Sequence, residues 1–338
     1  MQILITGAAG FIGYFLSQKL IEKGFNVYGI DSLNDYYDVN LKKSRLQNCG
    51  IHKIPSGKKC LSTLYPNYIF KRVNLCDKAA LESLFQHAHF DCVINLAAQA
   101  GVRYSLIDPD TYIQNNMKGF MNLLEACRKF HCPRLIYASS SSVYGNSVEI
   151  PFKETATTDQ PVSIYAATKK SNELMAYSYS ALYRLETIGL RFFSVYGPYG
   201  RPDMAPMLFA RAIHKNEPIK IFNHGNLARD FTFVDDVVEG ISKIVKTPGV
   251  KHEIHPGIPA TVYNIGHSSP VKLLDFIYLL EKNFGKTAQK EFVNMQPGDV
   301  HQTWADTTHL EEDYGYRAST PLEEGIKKFV TWYNSYYQ

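Results

Sequence analysis

No run of about 18 apolar residues, the length a helix needs to cross a bilayer, occurs in this chain. A membrane-spanning helix is therefore not expected. The opening residues, MQILITGAAG, already read as an apolar strand, with no basic segment and no cleavage site. No leader is expected, and the protein is expected to be cytoplasmic. Charge of one sign is scarce too: Lys+Arg 36 against Asp+Glu 32, evenly spread, leaves +4. That surplus is too small to argue for nucleic acid or an anionic membrane as partner. Cys-x-x-Cys pairs are missing, and the six cysteines (Cys49, Cys60, Cys76, Cys92, Cys127, Cys132) all fall in the first 132 residues. Reduced thiols fit this better than a disulfide framework. His87-Ala-His89 and His252-Glu-Ile-His255 lack a third ligand nearby, so no metal is expected. Repeats and low-complexity tracts are likewise absent. What remains is 338 residues, 45% hydrophobic and 20% charged, with Gly 22 and Pro 16. This is an ordinary globular composition, long enough for two domains of ~150 residues or one large α/β unit.

Apolar runs at Gln2 to Thr6, Phe25 to Ile30, Tyr68 to Val73, Asp91 to Leu96, Arg134 to Ala138 and Thr187 to Phe192 predict strands. Helical spacing separates them: Phe11 onward, near Lys78 to His87, near Thr111 to Phe130, and Ser163 to Leu185. The polar stretch Ser32 to Asn67 predicts a loop with at most one helix, around Asn40 to Gln47. Regular βαβ alternation with β-branched strands means a doubly wound parallel sheet of Rossmann type, covered on both faces. Beyond Ser194, prolines at 198, 202, 206 and 218 break the pattern. The expected partition is a dinucleotide-binding domain over 1–193 and a smaller, mainly substrate-binding α/β lobe over 194–338, with the ligand crevice between.

Gly7, Gly10 and Gly13 stand between the first strand and the first helix. The first suits the tight turn, the second close approach of a pyrophosphate, and the third helix–strand packing. A glycine-rich turn alone is weak evidence, but Asp31 ends the second strand, where a carboxylate can accept from both hydroxyls of an adenine ribose. Asp31 would repel a 2′-phosphate and no arginine follows it directly, so NAD is expected over NADP. Asp77 could meet the adenine amino group or cap a helix. The small residues of NLAAQA, with Leu96, Ala97 and Ala98, suit a passing ligand or simple tight packing.

Tyr165 and Lys169, at i and i+4, share one face of the long helix. A phenol ordinarily titrates near ~10, so acting as a base near pH 7 costs about 4 kcal/mol unless positive charge lowers it. Lys169 and an oxidised nicotinamide would supply that charge. A surface helix pair would show the same spacing, and its weight comes from following the serine run SSSSVYG, Ser139 to Gly145. Hydroxyls there can share a proton with a substrate alcohol and with Tyr165.

Together TGAAGFIG, Asp31, NLAAQA, SSSSVYG, Tyr165-x-x-x-Lys169 and RFFSVYGP (Arg191 to Pro198) resemble the extended short-chain dehydrogenase/reductases that act on nucleotide sugars, the NAD-dependent epimerase/dehydratase family. The likeness spans essentially the whole chain. DSLNDYYDVNLKKSRL (Asp31 to Leu46), AAQAGVRYS, RFFSVYGPYGRPDMA, RDFTFVDD and QPGDV (Gln296 to Val300) are most similar to its UDP-glucuronic acid 4-epimerases. The resemblance implies bound NAD, held by the glycine turn with Phe11 and Ile12, by Asp31 with Asn34, by Asp77, by Leu96 to Ala98, and by Tyr165 and Lys169. It further implies Tyr165 as base, Lys169 as its support and Ser140 as the proton-sharing hydroxyl. Ser141, Ser142 and Ser194 match positions around the sugar, Arg201 an arginine that grips its carboxylate, and Arg229 one that meets the diphosphate; Asp299 is expected among the substrate-binding residues. Gln296 stands where several relatives carry arginine. Dehydratases and decarboxylases of the family place an acid near the serine run, where Ser141 and Ser142 stand here, so epimerisation is favoured. Epimerisation of a neutral or N-acetylated UDP-hexose and decarboxylation of UDP-glucuronate remain alternatives, as does a non-catalytic NAD-binding sensor in place of an enzyme. Family members pair through the two long helices into a four-helix bundle, which implies a homodimer.

Overall fold

Alternation within the first five apolar residues decides the architecture: Ile3 and Ile5 enter one hydrophobic core and Leu4 another, so helices must cover both faces of the sheet. The computed structural model describes residues 1–55, 57–296 and 298–337, and Pro297 of the Gln296 to Val300 motif lies outside them. In chain order the first part comprises β1 (Gln2–Thr6), α1 (Phe11–Glu22), β2 (Asn26–Asp31), α2 (Val39–Asn48), β3 (Lys59–Leu61), β4 (Tyr68–Arg72), α3 (Lys78–His87) and β5 (Cys92–Asn95). It continues with α4 (Pro109–Tyr112), a π-helical turn (Ile113–Lys118), α5 (Gly119–Lys129), β6 (Arg134–Ser140), α6 (Ile164–Tyr183) and β7 (Glu186–Phe192). After these come β8 (Ser194–Tyr196), α7 (Ala205–Lys215), β9 (Pro218–Ile221), β10 (Ala228–Phe233), α8 (Val234–Lys246), β11 (Ala260–Ile265), β12 (Pro270–Lys272), α9 (Leu273–Phe284), β13 (Gln289–Phe292), α10 (Thr308–Tyr314) and α11 (Leu322–Tyr336).

The main sheet has eight strands in the order β11-β7-β6-β5-β1-β2-β4-β3. All pairings in it are parallel except β3 against β4. From β1 the chain winds first toward β2 and β4, then crosses back to β5, so the switch point lies where β1 meets β5. The glycine turn and the Leu96 to Gln99 segment both leave the sheet there.

Three departures from the expected pattern stand out. The short edge strand β3 lies inside the stretch expected to be loop and helix, and its Lys-Cys-Leu sequence carries no alternation to announce it. The helix expected over Thr111 to Phe130 is interrupted by the π turn, whose Asn116 clamps the backbone of Gln99: Gln99 N–H donates to Oδ1 (2.8 Å) and Nδ2 donates to the Gln99 carbonyl (2.9 Å). The boundary at 193/194 is also crossed again. The return strand β11 pairs with β7 in the main sheet, and Val234, Val237, Val238 and Ile241 of α8 share a core with α1. The second core, built from α7, β9, β10, α9 and α11, belongs to the smaller lobe.

Candidate active site

The carboxyl ends of β1, β2, β5 and β6 open on a cavity of about 360 Å³. Gly7, Gly10, Phe11, Ile12, Gly13, Asp31, Asn34, Leu96, Ala97 and Ala98 all line it. The turn has no room for side chains. Gly7 has φ +71°, a Cβ on it would lie 2.8 Å from the Ala97 nitrogen, and one on Gly13 would lie 2.1 Å from the Gly7 carbonyl oxygen. The buried Asp31 carboxylate accepts from Leu33 N–H (2.8 Å) and Ala9 N–H (3.2 Å), which fixes it in place and leaves lone pairs for two ribose hydroxyls. Lys42, which sequence reasoning missed, reaches this corner from α2. Its Nζ lies 3.9 Å from Asp31 and donates to the Asn34 carbonyl (2.9 Å). The Gln99 side chain, 3% exposed, lines the cavity with its Nε2 unpartnered among the described residues. A buried amide without a partner is costly, and it is the kind of atom a polar ligand satisfies. The cradle, the ribose-facing carboxylate and this orphan donor fit a dinucleotide. Asp77 is exposed, is not among the residues that line the cavity, and caps α3 by accepting from Ala80 N–H (3.0 Å). Asn74 and Leu75 approach the cavity instead.

Ser163 caps α6, its Oγ accepting from Ala166 N–H (3.1 Å), and the first two turns carry Tyr165 and Lys169 to the cavity floor. Lys169 is 2% exposed and donates to the Ala138 carbonyl (2.7 Å); burial brings its ammonium down to about 8. Its Nζ stands 6.0 Å from the centre of the Tyr165 ring. The phenol itself is held above its ordinary value by burial, with the neighbouring Ser140 hydroxyl and the charge of Arg201 pulling the other way. Among the protein's own groups, desolvation prevails over positive charge; the expected depression draws on the oxidised nicotinamide as well as on Lys169. Ser140 also caps the short turn Ser141–Tyr144, its Oγ accepting from Ser142 N–H (3.1 Å) and donating to Ser142 Oγ (2.9 Å).

Ser141, Ser142, Ser194 and Arg201 line the same cavity. Arg201 is not free there: Nε donates to Asp203 Oδ1 (3.1 Å), and Nη2 donates both to Asp203 Oδ2 and to the Ala100 carbonyl (3.1 Å). Arg229 and Asp299 line a second cavity of about 460 Å³, which shares Ser194, Val195 and Met204 with the first. Arg103, also missed from sequence, completes that cavity. It pairs with Asp299 (3.2 Å), and its guanidinium lies 4.5 Å from the centre of the Phe222 ring. A further buried arginine, Arg45, ties the two halves together by donating to the Ala9 carbonyl of the glycine turn (2.9 Å) and to the Tyr199 carbonyl (2.7 Å).

Residues 3–266 match the NAD dependent epimerase/dehydratase family. The chain belongs to this family. Among curated members it is 48% identical to Protein CapI of Staphylococcus aureus, over the whole of both chains. It is 41% identical to the probable UDP-glucuronate 4-epimerase of Rhizobium meliloti (strain 1021), covering 100% of this chain and 98% of that one. Among solved structures, UDP-glucuronic acid 4-epimerase from Bacillus cereus, in complex with UDP-glucuronic acid and NAD, superposes with a TM-score of 0.87 at 33% identity, covering 99% of each chain.

Proposed function

We propose that this family member is an isomerase that converts UDP-glucuronate to UDP-galacturonate by NAD-dependent 4-epimerisation through a 4-keto sugar. One observation carries the choice of reaction. Asp31, at the ribose end, is the only carboxylate lining the first cavity among the described residues, and Asp203, near Tyr165, is tied to Arg201, so no unengaged acid stands beside the hydroxyl groups to expel water. That argues against dehydration, and the relatives named for 4-epimerisation support the same reading. NAD, held by the glycine turn, Asp31 and Lys169, supplies the acceptor and later the donor of hydride. Tyr165 takes the 4-hydroxyl proton through Ser140 and returns it after the keto sugar has turned its other face. Ser141, Ser142, Ser194 and Arg201 hold the sugar, while Arg103 and Arg229 in the adjoining cavity hold the diphosphate.

Incubation with UDP-glucuronate followed by NMR of the products tests this reading. UDP-galacturonate supports it; UDP-xylose or no reaction rejects it. The keto intermediate of a uronate is a β-keto acid, which loses carbon dioxide when its carboxylate stands perpendicular to the ketone. Arg201→Ala is expected to weaken uronate binding and raise the yield of pentose; unchanged affinity and unchanged product ratio would remove Arg201 from this role. Lys169 loses its proton as pH rises through about 8, taking positive charge from beside Tyr165. The rate is therefore expected to fall on the alkaline side of about 8, and a kcat/KM profile measured between pH 6 and 10 checks it.

The same reading includes a cytoplasmic homodimer serving polysaccharide synthesis. Leu174, Leu182 and Tyr183 of α6 and Ile113 of the π turn are 57%, 69%, 49% and 48% exposed, an apolar surface suited to the matching helices of a second copy. No helix among the described residues is long and apolar enough to cross a membrane. Sedimentation at micromolar concentration is expected to show twice the chain mass; a 38.4 kDa species would refute the dimer.

A further inference from the structure

The Arg201 guanidinium carries five N–H hydrogens in a plane, and this chain uses three of them. One goes from Nε to Asp203 Oδ1 (3.1 Å), one from Nη2 to Asp203 Oδ2, and one from Nη2 to the Ala100 carbonyl (3.1 Å). Tyr36, on the loop after β2, donates its hydroxyl to the same Asp203 Oδ2 (3.2 Å). Among the described residues only the two hydrogens on Nη1 have no protein partner. The Arg201 and Asp203 side chains are 21% and 26% exposed, so the pair is only partly screened by solvent. The edge of the guanidinium best shaped for a two-pronged carboxylate contact is already filled by a carboxylate of the chain itself.

We propose that Asp203 is a specificity-determining residue: it occupies the Nε/Nη2 edge of Arg201 and cancels its charge, so a sugar carboxylate meets Nη1 of a paired arginine rather than an open fork on a free cation. The inference rests on the uronate reading of this site and deepens it. A lone arginine would bind a uronate strongly and a neutral sugar poorly. Paired with Asp203, it holds a uronate through one nitrogen and releases the epimerised product, at the cost of weaker discrimination against sugars with a neutral C6. Asp203 also offsets Arg201 at the phenol. Tyr165 is faced by Lys169 from its own helix, by the Ser140 hydroxyl, by the Tyr112 ring at 6.0 Å and by the Arg201–Asp203 pair, whose two charges act on it in opposite directions.

Asp203→Asn tests the proposal, because it keeps the shape and one acceptor while removing the charge. In a Tyr165→Phe background, calorimetry with UDP-glucuronate and with UDP-glucose is expected to show the affinity ratio rising about tenfold in favour of the uronate, the scale of one charge a few ångströms away at a partly exposed site. With Tyr165 present, the acid limb of kcat/KM is expected to move to lower pH, since the phenolate loses a negative neighbour. Asp203→Glu, which keeps the charge, is expected to leave the ratio within about twofold of native. If Asp203 merely buttresses Arg201, the Asn variant weakens uronate binding, as Arg201→Ala does, and the acid limb stays put; either result overturns the proposal. Product analysis of the native protein decides separately whether the substrate is a uronate. Native protein that epimerises only UDP-glucose would sink that reading, while the affinity ratio and the acid limb, measured then with UDP-glucose, still decide the role of Asp203.

Discussion

Tyr165→Phe is expected to lower turnover by a factor on the order of 10²–10⁴, the range for removing a positioned general base, while NAD stays bound and the fold is intact. The ring keeps its edge contact with Tyr112, at 6.0 Å between centroids and 75° between planes, so the loss is confined to the hydroxyl. That hydroxyl shares the cavity with Ser140, and with it goes the route by which a proton leaves the sugar. Lys169 does not depend on it, since its ammonium is anchored on the Ala138 carbonyl. Rates of UDP-glucuronate conversion, measured alongside the NAD released on denaturation, check both halves. A variant retaining more than about a tenth of the native rate would show that another group carries the proton.

Arg191→Ala is expected to cost about 3–5 kcal/mol of stability, the range for breaking a buried ion pair from one side. Arg191 and Glu173 are 4% and 7% exposed and meet through two parallel bonds of 2.9 Å, Nε to Oε1 and Nη2 to Oε2. Ser139 Oγ donates to the same Oε1 (2.6 Å), and Arg191 Nη1 donates to the Tyr144 hydroxyl (3.0 Å). Removing the guanidinium leaves Glu173 charged in a dry site with a single hydroxyl for company. The variant should also lose activity while still folded, because Ser139 adjoins Ser140 and Glu173 lies one turn beyond Lys169 on α6. The paired change Arg191→Met with Glu173→Gln removes both charges and is expected to recover much of the stability. Urea titration of the three proteins measures this. A loss under about 1 kcal/mol in the single variant would mean that water or a rearranged neighbour satisfies Glu173.

Legibility in the sequence followed the range of the interaction. The parallel strands were readable because each is buried on both faces and shows as a short apolar run, and the glycine turn because sterics at three nearby positions act within one segment. Tyr165, Lys169 and Ser140 were readable for the same reason, sitting one turn apart on a helix or at the end of a strand. Contacts that depend on how loops fold back were not. Lys42 reaches Asp31 only because α2 doubles back over the end of β2, and Arg103 joins Arg229 only through the fold of the smaller lobe. The Arg201–Asp203 pair is two residues apart in sequence, yet nothing in Arg-Pro-Asp says that the two side chains face each other. Asp77 shows the opposite case: both a ligand contact and a helix cap were open to it, and its carboxylate serves the cap. The π turn left no mark, since one extra residue per turn barely alters the spacing of apolar positions.

The return of the chain to the first layer bears on how the protein is made. β7 pairs with β6 on one side, and its other edge stays bare until Ala260–Ile265 arrives to become β11. Until α8 has been synthesised, α1 likewise lacks the helix that shares its core. A nascent chain stopped after residue 193 would therefore present an open, apolar strand edge of the kind that invites aggregation. The nucleotide half is thus expected to gain its full stability only once the chain beyond Ile265 has been made.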